Sequence, residues 1–512
     1  MTSPFPGARR RTTVRAPRLR ALLAALAVAL VLPASQGVAP ASAADPLTLG
    51  FNDFEVARFS GFLNSPVNEP ALAAAMENGR RTGAKEWRIT LFWRLVARNA
   101  TAAPQPATLA ADPAWSGYVW DDIDRQVRSI AAVGMQTVVW PIEAPAWAEG
   151  AGRPAVSKTA PVGSWKPDPV AYGIFGQALA RRYSGTYPDP ANPGKALPKV
   201  AFFQAWNEPN LSTYLSPQWE KAGGKYRAFS PGHFRKLVNA FSGGVKSVQP
   251  KAKVLAGGSA PFGDLEVGDP RIQPVAFYRD LLCVTTKGTK STGKKSCPKL
   301  KVDGWAHHTY PIGPPWRTAR NADDAVVPDM PKLTRVVKAA AKAGTLSTKA
   351  AANVWMTEMS WESAPDPSGL DLTTHAQYMQ GAFYLLWKSG VRHIFWFGSR
   401  DMAQGSDWNT SFQSGVFARG ADPSQDTPKP AFTAFRFPFA AFRDRGVAQL
   451  WAKPAGTGPV VVQVETSPGV WKQAAKLKSA GGGVVTGKLR VGPDVNLRAV
   501  QGAEVSIPWK TS

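Results

Sequence analysis

Two glutamates occupy positions from which both sides of a single bond could be worked on. The run AFFQAWNEPN, residues 201 to 210, passes through bulky apolar side chains and stops at Asn207, Glu208 and Pro209. The run NVWMTEMSWE, residues 353 to 362, behaves similarly around Glu358. An apolar half followed by a carboxylate is what a buried strand looks like when its tip opens into a cleft. Two carboxyls facing each other across such a cleft can divide the labour, one holding a proton and the other ionised. A single glutamate at a strand end is just as readily a solvated loop residue or a partner for a helix N-terminus. Asp53, Glu55, Glu143, Glu149, Glu362 and Asp401 also fall at or after strand ends, so position alone leaves the choice open.

The elements that must carry these residues repeat along the chain. Eight apolar, strand-like runs are readable: 47–54, 86–93, 136–143, 200–208, 253–260, 302–310, 353–361 and 392–399. Between them lie segments of helical spacing, among them DDIDRQVRSIAAVG, PVAYGIFGQALARRYSG and THAQYMQGAFYLLWKSG. Asp121 or Asp122 is placed as an N-cap, Pro231 in a first turn, and Gly134, Gly344 and Gly390 just past helix ends. Strands alternating with helices predict an α/β fold, a (β/α)8 TIM barrel. A doubly wound open sheet is the alternative, weakened because no glycine-rich dinucleotide fingerprint follows the first strand. Past residue 440 the texture changes to short alternating runs broken by Gly and Pro, which predicts a small C-terminal β-sandwich over 441–512.

The N-terminus is read separately from the fold. Six arginines, an apolar run from Ala21 to Leu32 and Ala41-Ser42-Ala43 predict a secretory signal peptide over 1–43, leaving 44–440 for the barrel. The apolar run is too short for a bilayer span, so no stable membrane insertion is expected after cleavage. The formal charge is +25, and removal of the six arginines gives 25 − 6 = +19. So basic a chain hints at an anionic polysaccharide as partner. Nucleic acid is not expected, because the densest basic run, TTKGTKSTGKKSCPKLK, has no interleaved aromatic on which bases could stack. Cys283 and Cys297 are the only two cysteines. In an exported chain they are expected to form a disulfide, and two isolated cysteines make no zinc site.

Trp206-Asn207-Glu208-Pro209-Asn210 on the fourth strand and Trp355-Met356-Thr357-Glu358 on the seventh resemble the signatures of the clan A retaining glycoside hydrolases. The Asn-Glu-Pro-Asn and Thr-Glu forms are most similar to glycoside hydrolase family 39, with the cellulase-like family 5 close behind. The resemblance covers roughly residues 46 to 440. It implies that Glu208 is the general acid/base, Glu358 the nucleophile and Asn207 a donor to the sugar 2-hydroxyl. It likewise implies substrate-side roles for Arg88, for His308 and Tyr310 on the sixth strand, and for Trp396 on the eighth. Thr309 stands where relatives often carry proline, which bears on specificity rather than on reaction type. The implied substrate is a carbohydrate, with no cofactor and no metal. Trp140 is among several tryptophans at strand ends, where sugar faces stack.

Two other classes of function compete with a secreted, extracellular hydrolase. A non-catalytic polysaccharide-binding protein on the same barrel would be marked by loss of either glutamate. A basic exported nucleic-acid-binding or cell-surface adhesive protein would rest on charge alone.

Overall fold

The computed structural model describes residues 47–289, 297–405, 407–478 and 483–511. The signal-peptide segment and the centre of the lysine-rich run lie outside the described residues. Eight parallel strands close into a barrel in the order β1-β8-β7-β6-β5-β4-β3-β2. They are β1 Thr48–Asn52, β2 Glu86–Phe92, β3 Gln136–Ile142, β4 Phe202–Ala205, β5 Lys253–Ser259, β6 Gly304–His308, β7 Val354–Met359 and β8 Val391–Phe397. Each lies inside one of the eight apolar runs or overlaps it to within a residue. Each is followed by a principal helix: α1 Glu69–Arg81, α2 Asp121–Ala132, α3 Pro169–Arg182, α4 Ser230–Val248, α5 Pro274–Leu282, α6 Met330–Lys342, α7 Leu372–Lys388 and α8 Pro430–Arg436. Among the described residues, no helix is long and apolar enough to cross a membrane.

Strand periodicity sorts the apolar side chains into two layers. Val138, Leu255, Ala306, Trp355 and Phe395 fill the barrel interior. A much larger cluster, including Trp87, Phe203, Val254 and Ile394, packs between the strands and the helices. Asp168 caps α3 by accepting from Ala171 N, and Asp371 caps α7 by accepting from Thr373 N and Thr374 N. At α2 the structure corrects the expected cap. Asp121 is already helical, Trp120 precedes it without a side-chain bond, and Asp121, Asp122 and Asp124 instead place negative charge in the first turn. Gly134, Gly344 and Gly390 follow their helices with φ of 74°, 76° and 97°, a region that strains other residues.

The C-terminal segment forms two antiparallel sheets. One joins β9 Phe439–Asp444, β10 Val447–Ala452 and β13 Val485–Arg490. The other is built around β11 Pro459–Ser467, β12 Val470–Lys478 and β14 Asn496–Gln501. The expected boundary at 440/441 falls within β9. The first sheet rests on α7, where Tyr384 stacks on Phe442 with ring centroids 4.9 Å apart and meets Trp451 at 5.9 Å.

Cys283 and Cys297 are joined by a disulfide with a Cα–Cα distance of 6.4 Å. It closes a short loop immediately after α5, far along the chain from both glutamates. Replacing both cysteines with serine is expected to cost about 3 kcal/mol of stability, the loop-entropy value for a ring of this size. Urea unfolding checks this, and an unchanged midpoint would show that the crosslink stabilises nothing.

Candidate active site

The barrel positions the two glutamates by bending the chain beyond β4 and holding it there. Trp206 and Glu208 adopt left-handed backbone angles, with φ of 68° and 34°. Such conformations are costly for residues other than glycine and persist only where the surroundings enforce them. Here Glu208 N donates to Gly258 O at 2.8 Å, and Trp206 Nε1 donates to Tyr214 O at 2.9 Å. Asn210 clamps the turn: its Oδ1 accepts from Ala260 N at 2.8 Å and its Nδ2 donates to Ile272 O at 3.0 Å. The second Asn of the Asn-Glu-Pro-Asn run, Asn210, is therefore a backbone clasp, a role that sequence reading did not assign.

Glu358 needs no bend, because it lies within β7, with Arg88 from β2 beside it. Arg88 Nη1 donates to Glu358 Oε1 at 2.6 Å, and Nη2 donates to Asn207 Oδ1 at 3.3 Å. The guanidinium carbon lies 3.9 Å from the centre of the Trp140 ring, so the cation is held between a carboxylate and an aromatic face. Tyr310 OH donates to Glu358 Oε2 at 3.0 Å. His308 Nδ1 meets Glu208 Oε1 at 2.8 Å and lies 3.6 Å from Glu358 Oε2, while Nε2 faces Thr357 Oγ1 at 3.1 Å.

The surroundings drive the two carboxyls apart in proton affinity. Burial pushes Glu208 above the usual carboxylate range, and the nearby Glu358 charge adds to this against the opposing pull of His308. Burial also acts on Glu358, but His308, the Arg88 charge and the bonds from Arg88 and Tyr310 outweigh it and leave Glu358 below its ordinary value. Burial beside both carboxyls keeps the Tyr310 phenol neutral, so it remains a donor. Atoms of Glu208, His308 and Glu358 all lie within 4.8 Å of one another. Such a trio could in principle hold a cation. Both Glu358 oxygens already receive donors, however, so a metal would compete with a guanidinium.

Glu208 and Glu358 line a cleft of about 540 Å³ together with Trp140, Asn207, Tyr310 and Glu362. The other carboxylates at strand ends are engaged elsewhere. Asp53 accepts from Ser399 N at 2.7 Å, Glu143 pairs with Arg94 at 2.6 Å, Glu149 with Arg153 at 2.5 Å, and Asp401 with Lys429 at 2.8 Å. Glu55 lies 3.6 Å from Arg58.

Trp396 is a correction. It is fully buried on the helix side of β8, packing against Trp361 and Phe383 and donating Nε1 to Ser414 O at 2.7 Å. Phe395 points into the barrel, so alternation turns Trp396 outward and brings Phe397, the next residue, to the cleft. Phe54, Tyr214 and Phe412 also line the cleft and were not read from sequence. The parity of Phe395 could have found Phe397. His307 packs away from the cleft, bonded to Ser259 Oγ and Ala325 O at 2.9 Å each.

Gly258, on β5, makes room for this arrangement. A Cβ there would lie 2.4 Å from His308 Nε2 and 2.9 Å from Thr357 Oγ1. Gly258→Ala is therefore expected to displace His308 from Glu208, moving the high-pH limb of any activity profile while the chain stays folded. An unaltered profile would show that the imidazole position does not matter.

No family model matches the chain, and no curated protein matches it. Among solved structures it is similar to a family 39 glycoside hydrolase from the gut symbiont Bacteroides cellulosilyticus WH2, at 16% identity and a TM-score of 0.51, covering 88% of this chain and 81% of that one. A glucosidase from Croceicoccus marinus aligns at 15% identity over 89% of this chain and 95% of its own, with a TM-score of 0.47. A family 39 β-xylosidase from Caulobacter crescentus aligns at 15% identity over 88% and 98%, with a TM-score of 0.46. At such identities the likeness to the first establishes a shared barrel fold.

Proposed function

We propose that the chain is an exported, retaining glycoside hydrolase that cleaves O-glycosidic bonds by double displacement. The observation that carries this reading is the pair Glu208 and Glu358, close together across one cleft with proton affinities displaced in opposite directions. Retaining enzymes need carboxyls about 5 to 5.5 Å apart, whereas inverting ones need room for a water between them. The similarity of the fold to that of a family 39 hydrolase supports the same reading. Export rests on the arginine-rich start and apolar run of residues 1–43.

The chemistry follows from the contacts. Glu358, kept ionised and aimed by Arg88 and Tyr310, attacks the anomeric carbon while Glu208 gives its proton to the departing oxygen. The glycosyl-enzyme ester that results is then hydrolysed by a water that Glu208, now ionised, deprotonates. Asn207, whose Oδ1 is already held by Arg88, is placed beside the nucleophile to meet the 2-hydroxyl.

A panel of glycans and aryl glycosides tests the reading, with turnover of at least one as the expected outcome. The pH profile has a definite sign. Activity falls on the acid side as Glu358 becomes protonated, below the ordinary carboxylate range. It falls on the alkaline side as Glu208 loses its proton, above that range. For an activated aryl glycoside, Glu208→Gln should abolish the alkaline limb of kcat/KM and leave the acid limb in place. Retention of both limbs would exclude Glu208 as the acid.

A further inference from the structure

A third carboxyl faces the same cleft. Glu362 lies four residues beyond Glu358, and its position is built rather than incidental. Its Oε2 accepts from Gln413 N at 2.5 Å. Gln413 is itself clamped: its carbonyl accepts from Ser363 Oγ at 2.7 Å and Lys429 Nζ at 3.2 Å, and its side-chain amide donates to Ser411 O at 2.7 Å. The carboxyl is thus fixed at the cleft wall, next to Phe412.

Among the described residues, those lining the cleft include Glu208, Glu358 and Glu362 and no lysine or arginine. Three cations around the site are each paired with a carboxylate. Arg88 is bound to Glu358 at 2.6 Å, Lys429 to Asp401 at 2.8 Å and Arg400 to Asp426 at 2.6 Å. The lysines and arginines of the described residues therefore do not line this cleft.

We infer that the cleft takes an uncharged sugar and excludes uronates, with Glu362 as a specificity-determining contact that accepts hydrogen bonds from sugar hydroxyls. The inference rests on the hydrolase reading and names its substrate class. A sugar carboxylate entering here would meet the Glu358 charge, the carboxyl oxygens of Glu208 and Glu362 and, among the described lining residues, no lysine or arginine to pair with, whereas hydroxyl groups are donors that carboxyl oxygens can accept. Burial raises Glu362 to a pKa of about 7, against the pull of the Gln413 N–H, which is consistent with a carboxyl that has no cation of its own. The anionic polysaccharide that the overall charge suggested is not the chemistry this wall fits.

The test compares 4-nitrophenyl hexosides with the matching hexuronides, and soluble neutral polysaccharides with polyuronates, using the unmodified protein and Glu362→Gln. The expected result is turnover of a neutral substrate with kcat/KM at least ~100-fold above that of its uronate counterpart. Glu362→Gln should raise KM for the neutral substrate about tenfold with a much smaller change in kcat, and should narrow that ratio. Preference for a uronate would overturn the inference while leaving the hydrolase reading intact. Discrimination that survives unchanged in Glu362→Gln, with KM unmoved, would remove Glu362 from the account. Absence of turnover on every substrate would instead defeat the hydrolase reading, and the inference with it.

Discussion

Glu358→Ala is expected to lower turnover by at least ~10⁴-fold on every substrate, activated or not, because it deletes the group that forms the covalent intermediate. The leaving group cannot compensate, since no proton donor replaces a missing nucleophile. The substitution also leaves the buried Arg88 guanidinium without its carboxylate partner, and an unpaired buried charge costs ~3–5 kcal/mol. Glu358→Gln preserves an oxygen for Arg88 and separates the two effects. It should fold as well as the parent and remain just as inactive. A folded Glu358→Gln protein with substantial activity on a fresh preparation would move the nucleophile elsewhere, and Glu143 or Glu362 would then need testing.

Glu208→Ala should instead discriminate between substrates. General acid assistance is worth roughly 10²–10⁴-fold, so glycosides with poor leaving groups should lose about that much. Formation of the glycosyl-enzyme from activated aryl glycosides needs little acid and should change by no more than about tenfold. Removal of the base that activates water should then make the ester accumulate, visible as a burst followed by slow release. Added azide distinguishes the two variants by stereochemistry. In Glu208→Ala it attacks the glycosyl-enzyme and yields an azide of retained configuration. In Glu358→Ala it must attack the substrate itself and yields the inverted azide. Equal sensitivity of good and poor leaving groups to Glu208→Ala would remove Glu208 from the acid role.

How much of this could be read from the chain depends on the range of the forces involved. All eight barrel strands were legible, because parallel strands covered on both faces are written as apolar runs between Gly, Pro and helical segments. The placement of Arg88, Asn207, His308 and Tyr310 around the two glutamates was legible only through the resemblance to known hydrolases. Nothing local to Arg88 announces that it will meet Glu358, 270 positions away. Trp396 was misplaced for a nearer reason. An aromatic at a strand end satisfies a motif, but the pleat decides which face it shows, and Phe395 already held the inner one. At α2 an acidic pair looked like a cap, yet the chain enters the helix one residue earlier and uses those acids against the dipole. The wall formed by Gln413, Phe412 and Glu362 was not legible, since it depends on a loop beyond β8 folding back against the loop beyond β7. The room left by Gly258 likewise exists only because β5, β6 and β7 are neighbours in the closed barrel.

In the proposed mechanism Glu208 and Glu358 act in two successive displacements at one carbon. Proton NMR of the first product released by the unmodified protein, recorded before mutarotation, tests it most directly. The anomeric centre of that product is expected to have the same configuration as the glycosidic bond that was cut. A first-formed product of opposite configuration would mean a single displacement by water, and would contradict the assignment of Glu358 as nucleophile.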